Sequence, residues 1–88
     1  MGWGRAKLLE RIDEFGSVAA AARSMGLGYR NAWLWVDAMN RLSPNPLVEK
    51  TTGGVGGGGA RLTEEGLKAV REFKMLRSRF QGFLVKED

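Results

Sequence analysis

Apolar residues recur at helical spacing through the first part of the chain. Leu8, Leu9, Ile12 and Phe15 fall on one side of a segment whose remaining positions hold Arg5, Lys7, Glu10, Arg11, Asp13 and Glu14. That alternation predicts an amphipathic helix over residues 5–15 with a solvated polar face. Gly16 stops it, and Ser17 is a natural N-cap for a second, Ala-rich helix over residues 18–25. Gly26-Leu27-Gly28 leaves room only for a tight turn. A third helix follows from Tyr29 to Leu42, with Ala32, Val36 and Met39 on its buried side. Arg30, Leu34, Asp37 and Arg41 lie opposite, while Trp33 and Trp35 flank the core edge and Trp3 covers the first helix. Ser43-Pro44-Asn45-Pro46 ends the third helix, because proline cannot continue the ladder and disfavours helix in the residue before it.

The pattern then changes period. Residues 47–51 and 60–62 read as two short strands around Gly53–Gly59, a stretch with glycine at six of seven positions. Thr63 caps a fourth helix, with Glu64 and Glu65 in its first turn favourable to the helix dipole. Leu67, Val70, Phe73, Leu76 and Phe80 recur every three or four residues, and Phe83 and Leu84 continue the stripe. The expected fold is mainly α with a small β-hairpin, in the order α-α-α-β-wing-β-α. Two helices joined by a short Gly-containing turn, then a strand-loop-strand, make a winged helix-turn-helix. One domain is expected over residues 1–88: helix-turn-helix 17–42, wing hairpin 47–62, and a long dimerisation helix 63–84. A stripe of Leu67, Val70, Phe73, Leu76, Phe80, Phe83 and Leu84 exceeds what so small a domain can cover, so this helix is expected to pair with its twin.

Composition narrows the chemistry. The 88 residues carry 14 Lys and Arg against 10 Asp and Glu, a formal charge of +4, with no Cys and no His. Disulfides, thiolate metal sites and an imidazole general base are all missing. The carboxylate pairs Asp13–Glu14 and Glu64–Glu65 read as helix-face and helix-terminus charges. The expectation is therefore no enzyme, no cofactor and no metal. No stretch is long and apolar enough for a membrane span and no secretory signal opens the chain, so a cytoplasmic protein without a membrane partner is expected.

The second and third helices supply a nucleic-acid chemistry. In a helix-turn-helix the start of the second helix enters the major groove. Arg30 can donate two hydrogen bonds to a guanine edge and Asn31 can pair with an adenine edge. Tyr29 can reach a phosphate, and Trp33 and the outward Leu34 complete the contact face. Ser17, Arg23, Lys50 and Arg61 would hold phosphates, together with the bare backbone of Gly54, Gly56, Gly57 and Gly58. Residues 54–59 also satisfy G-x-G-x-x-G, but so many glycines fit many patterns. No helix opens at the last one, and the chain has no room for the sheet which that fingerprint requires.

These residues resemble a known family. Tyr29-Arg30-Asn31-Ala32-Trp33 through Met39-Asn40-Arg41-Leu42, then Leu47-Val48-Glu49-Lys50 and the run from Thr52 to Thr63, are similar to the amino-terminal DNA-binding domain of ModE, the molybdate-responsive bacterial transcription regulator. Ala21-Ala22 and Leu62-Thr63-x-x-Gly66 are shared with the wider LysR-type winged helices. The resemblance implies a prokaryotic transcription regulator acting as a homodimer on double-stranded DNA, with two recognition helices on a palindromic operator. Gly28 and Leu34 depart from the family's usual Ser cap and polar residue. A second reading stays open: a winged helix that has lost DNA binding and docks a second regulator or effector protein through Leu34, Trp33 and the wing.

Overall fold

The computed structural model describes residues 3–51 and 59–86, with side chains in the last helix as far as residue 81. Four helices and a two-stranded antiparallel hairpin follow one another as α1 (Trp3–Phe15), α2 (Val18–Ser24), α3 (Tyr29–Leu42), β1 (Val48–Thr51), β2 (Gly59–Leu62) and α4 (Glu64–Lys86). The mainly α fold with one hairpin is the one the periodicity predicts. Boundaries move by one or two residues: α1 begins at Trp3, α2 ends at Ser24, and the strands span four residues each.

The two turns between the first three helices are set by glycine. Gly16 and Gly26 have φ of 71° and 66°, a region costly for any side chain with a Cβ. At Gly26 the chain closes a Schellman motif: Leu27 N–H donates to the Ala22 carbonyl and Gly26 N–H to that of Arg23. The Ser17 hydroxyl accepts from Ala20 N–H at 2.9 Å, capping α2 as its position suggests.

One core joins all the elements. Leu8, Leu9 and Ile12 of α1, Ala21 and Ala22 of α2, and Ala32 and Val36 of α3 are buried, with Leu47, Val48, Ala60, Leu62 and Val70 closing the far side. Leu8, Leu9, Ile12 and Val36 are the largest side chains fully shielded from water. Each such burial contributes on the order of 1.5–3 kcal/mol. The hairpin pairs Val48 with Leu62, Glu49 with Arg61, Lys50 with Ala60 and Thr51 with Gly59. It is also tied to the α1–α2 turn, where Ala60 N–H donates to the Gly16 carbonyl at 3.1 Å.

Two features of α1 differ from expectation: Glu10 is expected on the solvated face and Trp3 over the first helix. Glu10 is 5% exposed, held by the Arg77 guanidinium through two hydrogen bonds of 3.1 and 3.3 Å and by Lys7 at 3.5 Å. Trp3 does not lie back on α1. Its ring meets the edge of Phe73 at 5.2 Å and tilts toward Phe80, both on α4. Helix α4 crosses α1 closely enough to bring a polar position into shelter, which a wheel drawn on α1 alone cannot show.

The Glu10 pair makes stability acid-sensitive. Burial pushes the Glu10 carboxyl up, but the hydrogen bonds and charge of Arg77, with Lys7 adding, outweigh it and hold the group below its ordinary 4.5. A folded-state value below the unfolded one adds stability above pH 4.5 that is lost as pH falls through the folded value. Urea unfolding is therefore expected to show Glu10→Gln less stable than the parent at pH 7, with the gap narrowing below pH 4.5.

Candidate nucleic-acid interface

Helix α3 presents its first turn to solvent. Tyr29, Arg30 and Asn31 are all exposed, Tyr29 at 59%. Gly28 begins the helix in extended backbone with no side-chain cap, and among the described residues no ion pair engages Arg30. The donors expected to face a groove are thus unengaged in the fold. Leu34 follows one turn later, 54% exposed, and the outer face continues through Asp37 to Arg41. Ala32, Val36 and Met39 bury the opposite side.

The hairpin is fastened beside this helix by a residue the sequence reading did not single out. Asn40 accepts from Leu47 N–H at 2.9 Å and Val48 N–H at 3.2 Å, and its amide donates to the Val48 carbonyl at 3.1 Å. One side chain therefore serves three backbone groups at the start of β1 and sets the angle between hairpin and α3. An Asn one position after a buried Met, with a proline turn behind it, is the signal that could have found it. Asn40→Ala strands these groups in a half-buried setting and is expected to cost about 2 kcal/mol in chemical denaturation. Faster amide exchange confined to Leu47 and Val48 under native conditions would identify the lost contacts as the cause.

The remaining site residues are distributed unevenly. Trp33 is half-buried against the core, its ring edge-on to Tyr29 at 6.4 Å, and the Lys50 ammonium lies 4.9 Å from its centroid. Lys50 is exposed and bridges β1 to the start of α3. Arg61 pairs with Glu49 across the hairpin at 2.6 Å, both side chains well exposed. Such a surface pair contributes at most about 1 kcal/mol, so the guanidinium is released at little cost. Ser17 is half-buried with its hydroxyl on Ala20, whereas Arg23 is exposed in the last turn of α2. Gly54, Gly56, Gly57 and Gly58 lie outside the described residues.

Along α4 the apolar stripe divides. Val70 is buried in the core, Leu67 is half-buried against it, and Phe73 sits under Trp3 with the Arg77 guanidinium 5.1 Å from its ring. Leu76 and Phe80 remain 59% and 53% exposed. Phe83 and Leu84 fall on helical backbone, and their side chains lie outside the described ones. Among the described residues no helix is long and apolar enough to cross a membrane, and no group of His, Cys, Asp and Glu is placed to hold a metal ion.

Helix, turn, exposed second helix, pinned hairpin and closing helix define a winged helix-turn-helix domain. Comparison of structures supports the class: a full-length LysR-type regulator, LysG of Corynebacterium glutamicum with bound effector Arg, matches over 99% of this chain and 29% of that one, with a TM-score of 0.74. At 21% identity that likeness is one of fold. The sequence goes further: the chain is similar to the amino-terminal part of ModE and MopA proteins. It is 41% identical over 80 residues to the molybdenum transport protein ModE of Azotobacter vinelandii, covering 91% of this chain and 30% of that protein. It is 45% identical over 86 residues to the molybdenum-pterin-binding protein MopA of Rhodobacter capsulatus, covering 98% and 31%. It is 42% identical over 72 residues to the DNA-binding transcriptional dual regulator ModE of Escherichia coli K12, covering 82% and 28%. The chain thus spans about a third of the length of these curated relatives. No family model matches it.

Proposed function

We propose that this domain binds double-stranded DNA as a transcription regulator, with the start of α3 in the major groove and the hairpin on the flanking backbone. The observation that carries the reading is the first turn of α3, where Tyr29, Arg30 and Asn31 are all exposed. Relatives named as transcriptional regulators support it. Lys50, Arg61 and Arg23 supply phosphate contacts on either side of that turn. Ser17 acts there through the α2 N-terminus that it caps, and the Trp33 ring supports Tyr29 and Lys50 from below.

The acting unit is a homodimer. Leu76 and Phe80 are the part of the α4 stripe open to a second copy, since Val70 is enclosed in the chain's own core. Pairing doubles the formal charge from +4 to +8 and places two recognition helices on the two halves of a palindrome.

Selection of bound sequences from a random duplex pool tests the reading, and a palindromic motif is the expected result. Binding to random duplex should weaken with salt at a log–log slope near −0.9 per phosphate neutralised. The exposed Leu34 favours the other reading, a protein-docking surface, and salt-independent or absent DNA binding would decide for it. Sedimentation showing a monomer at tens of micromolar would overturn the dimer.

A further inference from the structure

The outer stripe of α3 has an order that the first-turn contacts do not use. Starting from Arg30, the residues Leu34, Asp37 and Arg41 follow at steps of four, three and four, which keeps all four within about 60° of one another around the helix. All are exposed, and Leu34, Asp37 and Arg41 line a shallow depression with Asn40. The stripe therefore reads cation, apolar, anion, cation. Among the described residues no ion pair engages Asp37. At about 1.5 Å of rise per residue, Leu34 lies about 6 Å and Asp37 about 10 Å beyond Arg30. With base steps of about 3.4 Å, those spacings place the three side chains over successive positions one to two steps apart.

We propose that Leu34 and Asp37 extend base reading beyond the first turn: Leu34 takes the C5-methyl of a thymine, and Asp37 accepts from the N4 amino group of a cytosine. The proposal rests on the DNA-binding reading above and specifies the half-site it recognises. An isobutyl side chain has no hydrogen bond to offer in a groove, and the thymine methyl is the apolar group the groove provides. A carboxylate facing a polyanion is repelled unless a base donor meets it, and cytosine N4 is the donor that carboxylates pair with. Arg41, at the far end of the stripe, meets the phosphates where the helix leaves the groove. The half-site then carries guanine, thymine and cytosine in the order in which Arg30, Leu34 and Asp37 pass over it.

The test uses the 88-residue chain and its selected duplex. Replacing the contacted thymine by deoxyuridine removes only the methyl, and the parent protein should lose about fourfold in affinity. With Leu34→Ala that thymine-to-uracil ratio should fall to about one. Asp37→Asn should shift the selected base from cytosine toward adenine, because an amide can pair with adenine N6 and N7. Both positions are exposed, and unchanged thermal unfolding confirms that each variant keeps its fold. An unchanged thymine-to-uracil ratio in Leu34→Ala, or an unchanged motif in Asp37→Asn, while the parent still binds a palindrome, overturns this proposal and leaves the DNA-binding reading intact. Failure of the parent to bind any duplex overturns both.

Discussion

An Arg30→Ala variant is expected to bind the selected operator about 10- to 100-fold more weakly than the parent while binding random duplex almost as well. The expectation rests on geometry and on what Arg30 does not do. The side chain is exposed in the first turn of α3 and takes part in no ion pair among the described residues, so its removal leaves the fold intact. Its planar fork matches the paired acceptors of a guanine edge, a contact worth roughly 1–3 kcal/mol of discrimination. Arg30→Lys keeps the charge but not the fork, and should recover little of the specificity. Lys50→Ala provides the contrast: it should weaken all sequences alike and reduce the salt slope by about one. Selection from a random pool with Arg30→Ala should relax one position in each half-site. Operator affinity unchanged in this variant would remove α3 from the groove.

The second large effect is on stability and comes from a glycine. Gly66 is buried in the first turn of α4, and a Cβ placed there would overlap the Leu47 carbonyl and press on Leu62. Neither contact is with a flexible side-chain end. Leu47 is backbone fastened by Asn40 and by Thr63 N–H, and Leu62 closes the core. Thr63 is held there as well, its hydroxyl donating to the Pro46 carbonyl and accepting from Gly66 N–H. Gly66→Ala must therefore lift α4 off the hairpin, with an expected loss of about 3 kcal/mol. That is a large part of the roughly 5–10 kcal/mol available to a domain of this size. Urea denaturation should show a lower midpoint with an unchanged slope. Glu65→Ala, one position earlier on an exposed site, should shift it by less than about 0.5 kcal/mol.

Local chemistry made much of the architecture legible. Gly16 and Gly26 announced the turns because positive φ excludes most other residues, and Ser17 announced a cap because its hydroxyl is the right length for the N–H three residues on. The alternation in α3 separated its buried and exposed sides correctly, down to Leu34. What escaped were contacts between segments distant in sequence. Asn40 looked like one more polar residue on a helix, since nothing local indicates that β1 will lie against it. Glu10 looked solvated because Arg77 stands 67 residues away. The α4 stripe looked uniform, but whether a given turn faces the core or the outside depends on where α1 ends. Trp3 decides that for Phe73, and its ring was assigned to the wrong helix for the same reason.

The clasp between α1 and α4 also governs when the domain can form. Trp3 finds its aromatic partners at Phe73 and Phe80, and Glu10 finds its counter-charge at Arg77. During synthesis the first helix emerges early, with its apolar side and one carboxylate awaiting residues not yet made. Closing a loop of that span is slow compared with making the local helices. A nascent chain arrested before Arg77 would hold α1 only loosely and expose it to proteases, and protection should arrive abruptly once α4 has cleared the ribosome. The winged domain thus folds as a late, concerted event, completed only when α4 reaches α1.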